Sequence, residues 1–343
     1  MFTQNKDTDR LILLKVEDER QFLTLCSLND YGKKLCDENL FRERLIQKYP
    51  KAAEFKDKET WKEYYLSVIY YVDKMREKGF RFTDGYAKEY YEILQDEGGK
   101  SISVIQAITK GFLDLVTFYI DDLKVDTREF DPKLDNNMLM AMAAEKGHKN
   151  IVEYFVEKGE KTNQINNLNQ ALAFATKRNK NMEVITYLVN KGADVNIGIR
   201  EAARNSDIET IIFFMKRKGS KNFALKGAAL GGRLELLKFF IKEGARNIDE
   251  ALHYTVLGFD EALHSAALGF EPSEQPKKYL EVIEYLLSLG ISPNIGFIPA
   301  VKTKNDYLIK YFMDRGANEF LPAIDIAEQN GDSELADYFR SLL

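Results

Sequence analysis

One short phrase recurs over the last two thirds of the chain and limits its fold more than any other feature. Each copy is an apolar run with one or two polar positions, in most copies followed by a charged residue and glycine: LVTFYIDDL, IVEYFVEKG, VITYLVNKG, IIFFMKRKG, LLKFFIKEG, VIEYLLSLG, LIKYFMDRG and LADYFRSLL. This pattern predicts a short amphipathic helix that ends at glycine. A helix of about ten residues is not stable alone, so the copies must pack against one another in a stack. The glycines are Gly159, Gly192, Gly219, Gly244, Gly290 and Gly316.

A second, alanine-rich segment precedes most copies of the phrase. Examples are MLMAMAAEKG at 138–147, QALAFATKR at 170–178 and ALKGAALGG at 224–232. Alanine side chains are small, so helices that carry them can approach one another closely. Each unit is therefore predicted to contain an inner alanine-rich helix, a tight turn, an outer bulky helix and a loop.

These units resemble the ankyrin repeat. Residues 228–245 read AALGGRLELLKFFIKEGA, and residues 143–159 read AAEKGHKNIVEYFVEKG, close to the second half of that repeat. The resemblance implies an all-α, ankyrin-type α-solenoid of about eight helix pairs over residues 99–343. Most units are about 25 to 27 residues long, whereas the family repeat has about 33. We therefore expect short loops where the family has β-hairpin fingers, and partner binding through the inner helices.

An 11-residue segment is duplicated in tandem: DEALHYTVLGF at 249–259 is followed by DEALHSAALGF at 260–270. Eleven residues make almost three whole helical turns, so one continuous helix would show the same face in both copies. A break at Gly258 and Gly269 is the alternative. The polar insert EPSEQPKK at 271–278 predicts an exposed loop or a distorted unit, because it contains two prolines.

The first hundred residues lack the phrase. Residues 1–50 predict three short helices, and residues 51–98 predict connecting helices, one of them at 60–78 with Thr60 as its N-cap. Residues 25–29 (LCSLN) and 35–41 (LCDENLF), after a leucine-rich opening, resemble an F-box, particularly the F-box-like N-termini of ankyrin proteins from large DNA viruses. The resemblance implies docking to Skp1, the adaptor of a cullin ubiquitin ligase. The positions it implies for the core or the adaptor contact are Leu11, Leu14, Phe22, Leu25, Leu28 and Phe41.

Composition excludes several classes of partner. The net charge is -5 and the pI about 5.6, which disfavours nucleic acid and anionic membrane surfaces. No apolar run approaches the roughly 20 residues that cross a bilayer, and the polar start predicts no secretory signal. The apolar neighbours of Cys26 and Cys36 favour reduced, buried thiols over a disulfide, and hence the cytoplasm or nucleus. We expect a monomer.

No catalytic or cofactor motif is present, and the three histidines show no metal-ligand spacing. The sequence therefore predicts a non-catalytic protein that needs no cofactor and binds a protein target on the inner helices. Two functions stay open: a receptor that joins the ligase adaptor to a target, or a plain ankyrin binder whose N-terminus caps the solenoid. The candidate target-binding residues are Lys177, Arg178, Arg200, Arg204, Lys226 and Lys302.

Overall fold

The computed structural model describes residues 2–95, 100–162, 167–178, 181–267 and 275–343. Within these ranges the chain is helical and contains no strand. It forms two compact units, Met1–Asp135 and Asn136–Leu343, and each is described by itself below. The boundary predicted at Gly98 and Gly99 lies outside the described residues, so the predicted division at 98 stays a prediction.

The N-terminal unit begins with short helices whose starts are set by side-chain caps. Asp18, Asn29 and Asp37 each accept a backbone N–H of the first turn, at 2.7 to 2.9 Å. Thr60 and Glu63 form a capping box, which confirms the predicted helix start. The helices are α1 Lys6–Lys15, α2 Glu19–Ser27, α3 Asp30–Leu35, α4 Glu38–Lys48, α5 Trp61–Glu77, α6 Ala87–Gln95, α7 Lys100–Lys110 and α8 Leu113–Thr117, with 3₁₀ turns at Ala52–Phe55 and Thr127–Glu129 and a π-helical turn at Phe118–Asp122.

Residues 1–50 thus contain four helices, not the three that the sequence predicts. The apolar stripe from Leu35 to Leu45 is divided between α3 and α4, because Asp37 caps a new helix start between them. Phe22, Phe41 and Tyr65 pack edge to face or tilted in the core, with ring centroids 5.4 to 5.8 Å apart.

Arg44 lies fully buried beside this aromatic cluster. Its guanidinium donates to the backbone carbonyls of Leu13 (3.0 Å) and Val16 (2.7 Å), at the end of α1. It also pairs with Glu19 at 2.9 Å and donates to the Tyr65 hydroxyl at 2.6 Å. One cation therefore binds backbone carbonyls at the C-terminal end of α1 and fixes the connection from α1 to α2.

Cys26 and Cys36 form a disulfide, with their Cα atoms 5.6 Å apart. The prediction of reduced thiols is therefore wrong for this structure. Apolar neighbours do surround Cys26, which is buried, but α3 turns the chain back so that Cys36 meets it. A separation of ten residues along the chain does not reveal such an approach.

The second unit consists of seven inner–outer helix pairs. Each inner helix packs against its outer partner and against the inner helix of the next pair. Together with α7 and α8, they make the eight pairs that the sequence predicts for residues 99–343. The pairs are α9 Asn136–Lys146 with α10 Lys149–Thr162, α11 Leu168–Arg178 with α12 Met182–Asn190, α13 Val195–Arg204 with α14 Ile208–Lys216, α15 Lys221–Leu230 with α16 Leu234–Lys242, α17 Ile248–Ala267 with α18 Gln275–Ser288, α19 Asn294–Lys302 with α20 Asp306–Met313, and α21 Phe320–Gln329 with α22 Ser333–Arg340.

The glycine that follows the recurring phrase ends most outer helices as predicted. Gly192, Gly244, Gly290 and Gly316 have φ between 85° and 102°, in the left-handed region. The prediction is wrong at Gly159, since α10 continues through it to Thr162.

An asparagine near the start of an inner helix links successive units. Its Oδ1 accepts a backbone N–H from the loop before the next inner helix, at 2.7 to 2.9 Å. These hydrogen bonds hold the short loops that stand in place of β-hairpin fingers. The pairs, acceptor first, are Asn137–Asn167, Asn169–Asp194, Asn196–Ser220, Asn222–Arg246 and Asn294–Asn318.

The tandem duplication forms one continuous helix, α17, over its described part. The alternative of a break at Gly258 is therefore wrong: this glycine lets α17 approach α15, where a Cβ would lie 2.3 Å from the Leu230 carbonyl oxygen. Gly269 and residues 271–274 of the polar insert lie outside the described residues. Its last part, from Gln275, is the first turn of α18, where proline is tolerated.

Candidate functional site

Residues 2–30 expose three large apolar side chains to solvent, those of Leu11, Ile12 and Leu28. Leu11 on α1 is 60% exposed and Leu28, after α2, is 62% exposed. Leu14 and Leu25 are partly exposed. These four of the six predicted adaptor positions are accessible, at least in part, to a partner.

Phe22 and Phe41, the other two predicted adaptor positions, are fully buried. They belong to the aromatic core described above, so a direct contact with an adaptor is excluded for this fold. Helical spacing groups these residues with the leucines but does not show which of them face the core.

Polar contacts hold α1, and with it Leu11, in position. The Nη1 group of Arg10 donates to both carboxylate oxygens of Asp37, at 3.0 and 2.9 Å, which ties α1 to the start of α4. Asp9 is buried and accepts hydrogen bonds from Thr3 and from the Tyr31 hydroxyl. Burial acts to raise the pKa of Asp9, but these hydrogen bonds outweigh it and hold the pKa below its ordinary value.

The inner helices of the second unit leave one face free of neighbouring helices. On α9, α13, α15 and α17 half-buried residues recur at spacings of three, four or seven positions, so they share a face of the helix. Several of these half-buried side chains are apolar or aromatic, although the sequence drew attention only to basic ones. We call this set the inner-face stripe; it comprises Met138, Met142, Phe174, Ile197, Phe223 and Tyr254.

Three of the six predicted target-binding residues are paired with carboxylates. The Arg200 guanidinium lies 2.9 Å from the Glu201 carboxylate, and the Lys226 ammonium lies 2.5 Å from the Glu250 carboxylate. Arg204 pairs with Glu261. Their charge is therefore largely neutralised within the protein, and each pairing fixes a side chain on the free face.

The remaining predicted target-binding residues differ in placement. Lys177 and Lys302 are exposed on the ends of α11 and α19, where they are accessible to a partner. Arg178 ends α11, but its side chain lies outside the described residues. The contact of all six with a target stays a prediction.

Lys226 contacts two aromatic members of the stripe, Phe223 and Tyr254. Its ammonium lies 5.5 Å from the centroid of the Phe223 ring and 5.2 Å from that of Tyr254, within cation–π range. Hydrogen bonding to Glu250 is the largest cause that raises the pKa of Lys226. The result is a patch of apolar and aromatic surface around the Lys226–Glu250 ion pair, the composition typical of protein-binding surfaces.

His253 is half-buried on the same face, next to Tyr254. Burial, and secondly the charge of Lys302, lower its pKa, so its ring is neutral at pH 7. Among the described residues, no group of histidine, cysteine, aspartate and glutamate side chains could hold a metal ion. None of the described helices is long and apolar enough to cross a bilayer.

A family model for ankyrin repeats, in three copies, matches residues 104–198. The match begins within α7 and runs through α12 into α13. No curated protein matches the chain. The helix pairs and this match together show an all-α, ankyrin-type solenoid, and ankyrin repeats indicate a role in protein–protein interaction.

Proposed function

We propose that this chain is a non-catalytic substrate receptor for a cullin-type ubiquitin ligase. The N-terminal F-box-like segment binds a Skp1-like adaptor, and the ankyrin stack binds the protein to be modified. The observation that carries the adaptor role is the exposure of Leu11 on α1 and of Leu28 directly after α2. Burying a leucine side chain against a partner contributes about 2 kcal/mol, so two such residues supply a useful part of a docking energy.

The inner-face stripe supports the second half of the proposal. It offers apolar and aromatic side chains held in fixed positions by ion pairs such as Lys226–Glu250. The chemistry of ubiquitin transfer belongs to other subunits, and the receptor contributes by bringing the target near them.

The adaptor role is tested with the full chain and purified Skp1 by isothermal titration calorimetry. Leu11→Asp with Leu28→Asp places two charges in the contact, and we expect affinity to fall about tenfold or more. Leu321→Asp is the matched control, because Leu321 is equally exposed but lies on α21 of the other unit. Measurable Skp1 binding that the double substitution leaves unchanged would contradict the assignment, as would a folded chain with no Skp1 binding.

A second candidate function is an ankyrin binder or inhibitor of a host protein without a ligase link. It is favoured by the burial of N-terminal apolar residues in the core of their own unit, for example Leu13, Phe22 and Leu45. In that case the N-terminal unit is only a solenoid cap. Expressing the chain in cells with and without Leu11→Asp and Leu28→Asp distinguishes the two functions. Both forms should capture the same target. A receptor loses ubiquitination of that target in the variant, whereas a plain binder shows no difference.

The proposal places the chain in the cytoplasm or nucleus, where the adaptor is met. Disulfides persist mainly in oxidising compartments, so the state of Cys26 and Cys36 in cells is a direct test. Differential alkylation and mass spectrometry measure it. Two thiols in intact cells support the proposed compartment, and a quantitative disulfide contradicts it.

A further inference from the structure

A polar pocket of about 130 Å³ lies beside the second copy of the duplicated segment. Its walls come from the ends of α13 and α15, the start of α16, the second half of α17 and the start of α18. The volume equals several water molecules, enough for a tetrahedral oxyanion. The side chains that decide its chemistry are those of Arg204, Arg233, Glu261, Ser265, Lys278 and Tyr279.

The charged side chains among the described lining residues are those of Arg204, Arg233, Lys278 and Glu261. Glu261 pairs with Arg204. Arg233 uses its Nε to donate to the Arg204 carbonyl at 3.0 Å, and within the described part of the chain it has no carboxylate partner. Its two terminal nitrogens are therefore available as the planar pair of donors that binds a phosphoryl group in bidentate fashion.

Side chains of the pocket cover one carbonyl group at each of the two helix C-termini around it. Carbonyl groups at a helix C-terminus would repel an anion, but the Arg204 carbonyl accepts from Arg233 and the Leu230 carbonyl accepts from the Tyr279 hydroxyl at 3.2 Å. Helix α16 begins next to Arg233 without a side-chain cap, so the positive end of its dipole lies at the pocket edge.

The duplication supplies one wall of the pocket. In the first copy, Glu250 pairs with Lys226 on the free face of α15. Its counterpart in the second copy, Glu261, reaches back to Arg204 on α13 and brings Ser265 to the pocket. The extra turns of α17 thus enclose Arg233 on a side that a helix of ordinary length would leave open.

We propose that this pocket binds the phosphoryl group of a phosphorylated serine or threonine in a protein partner of the ankyrin stack. It rests on the proposed function only in requiring a protein partner, and it does not require the adaptor. Arg204 follows Arg200 by one helical turn, so the pocket continues the free face of the inner helices on which a target would lie. A chain with a net charge of -5 favours a peptide over an anionic membrane as the source of the phosphoryl group.

The test uses the full chain and two peptide libraries that differ only in a fixed phosphoserine or serine, with binding measured by fluorescence anisotropy. We expect the phosphorylated library to bind about tenfold tighter, and Arg233→Gln to remove that difference. Glutamine keeps a donor for the Arg204 carbonyl, and thermal unfolding verifies the fold. Arg217→Gln, on the outer side after α14, removes the same charge and is expected to change binding less than about twofold.

Equal binding of the two libraries overturns the proposal, as does an equal effect of Arg233→Gln and Arg217→Gln. Inorganic phosphate that perturbs the Arg233 side-chain signals while phosphopeptides bind no tighter than serine peptides indicates a free-ion site instead. Tighter retention on phosphoinositide vesicles than on phosphopeptides assigns the pocket to a membrane. A wild-type chain that binds no Skp1 but still binds phosphopeptides more tightly than serine peptides shows that only the adaptor proposal fails.

Discussion

Arg44 shows how much of the N-terminal unit depends on a single side chain. It is the largest fully buried side chain there, and its guanidinium satisfies carbonyl, carboxylate and hydroxyl acceptors from three segments of the chain. A buried cation of this kind is stable only because all its donors are used. Leu11 and Leu28 owe their exposed positions to the same network, since it fixes the connection between α1 and α2.

Replacing Arg44 by alanine should therefore destabilise the N-terminal unit by about 3 to 5 kcal/mol, because a large buried side chain is lost and the Val16 carbonyl loses its side-chain donor, although Glu19 keeps Lys48 as a partner. Urea denaturation followed by the fluorescence of Trp61, the only tryptophan, measures this unit alone. Arg20→Ala is the control, because Arg20 is exposed, and its effect should stay within about 0.5 kcal/mol. A comparable effect of both substitutions would refute the role of Arg44.

Acid should weaken the same unit through Asp9 and Asp37. The pKa of each carboxyl lies below its ordinary value of 3.8: burial opposes this shift in both, but hydrogen bonds from Thr3 and Tyr31 to Asp9, and from Leu40 and Arg10 to Asp37, outweigh it. The stabilisation is therefore complete above about pH 4 and is lost as pH falls through the folded-state values.

The urea concentration at the midpoint of the Trp61 fluorescence transition is measured between pH 7 and pH 2.5. This midpoint should fall in the acid range, and Asp9→Asn should reduce its dependence on pH. Asp57→Asn, at an exposed carboxylate, is the control. Equal acid dependence in the wild type and in Asp9→Asn would exclude Asp9 as a cause.

At the scale of elements, close approach between inner helices determines the stack. The alanines of the inner helices predict this approach, and the structure confirms it; the part that glycine plays in it is not predicted by the sequence. A Cβ on Gly227 would lie 2.0 Å from the backbone carbonyl oxygen of Arg200, on the neighbouring inner helix. A backbone atom cannot rotate away as a side chain can, so α13 and α15 would have to separate.

Gly227→Ala should destabilise the second unit by about 3 kcal/mol, the upper part of the range for overpacking, despite the better helix propensity of alanine. Far-UV circular dichroism during urea denaturation reports this loss. Glu209→Ala, at an exposed position of α14, is expected to have little effect. If Gly227→Ala is neutral or stabilising, the close packing of α13 against α15 is wrong.

The helices of the stack could be predicted from the sequence because each carries its own apolar period and most carry a glycine stop. Contacts between distant residues could not. Nothing local marks Arg44 as buried, Cys26 as the partner of Cys36, or Asn196 as a link to Ser220. The site shows the same limit: spacing groups Phe22 with Leu25 and Leu28, but only packing decides that Phe22 is inside and Leu28 outside.

At the scale of the whole molecule, the two compact units Met1–Asp135 and Asn136–Leu343 each have their own core. In the ankyrin stack most packing is between successive pairs, with the Arg204–Glu261 ion pair from α13 to α17 as an exception, so its stability is approximately a sum of local terms. The N-terminal unit is organised differently, around one buried polar centre. A single free energy of unfolding is therefore not expected to describe the chain.

Arg44→Ala should shift the Trp61 transition and leave the main circular-dichroism transition nearly unchanged, whereas Gly227→Ala should do the reverse. In the double variant the two effects should add within about 0.5 kcal/mol, as for distant sites. Trp61 fluorescence and circular dichroism are both measured on the wild type, the two single variants and the double variant. Size-exclusion chromatography with light scattering checks the expected monomer. Coincident shifts of both transitions in either single variant would show one cooperative unit.

The continuous helix α17 also bears on how such a chain can change over generations. An in-frame duplication of eleven codons adds close to three full helical turns. The inserted residues therefore face the same direction as the residues they copy, and the rest of the helix is not rotated about its axis. A copy one or two codons longer or shorter would turn apolar residues toward water. Duplications close to a whole number of turns are thus the kind that selection can retain, and a new surface arises at once from residues already suited to the face they occupy.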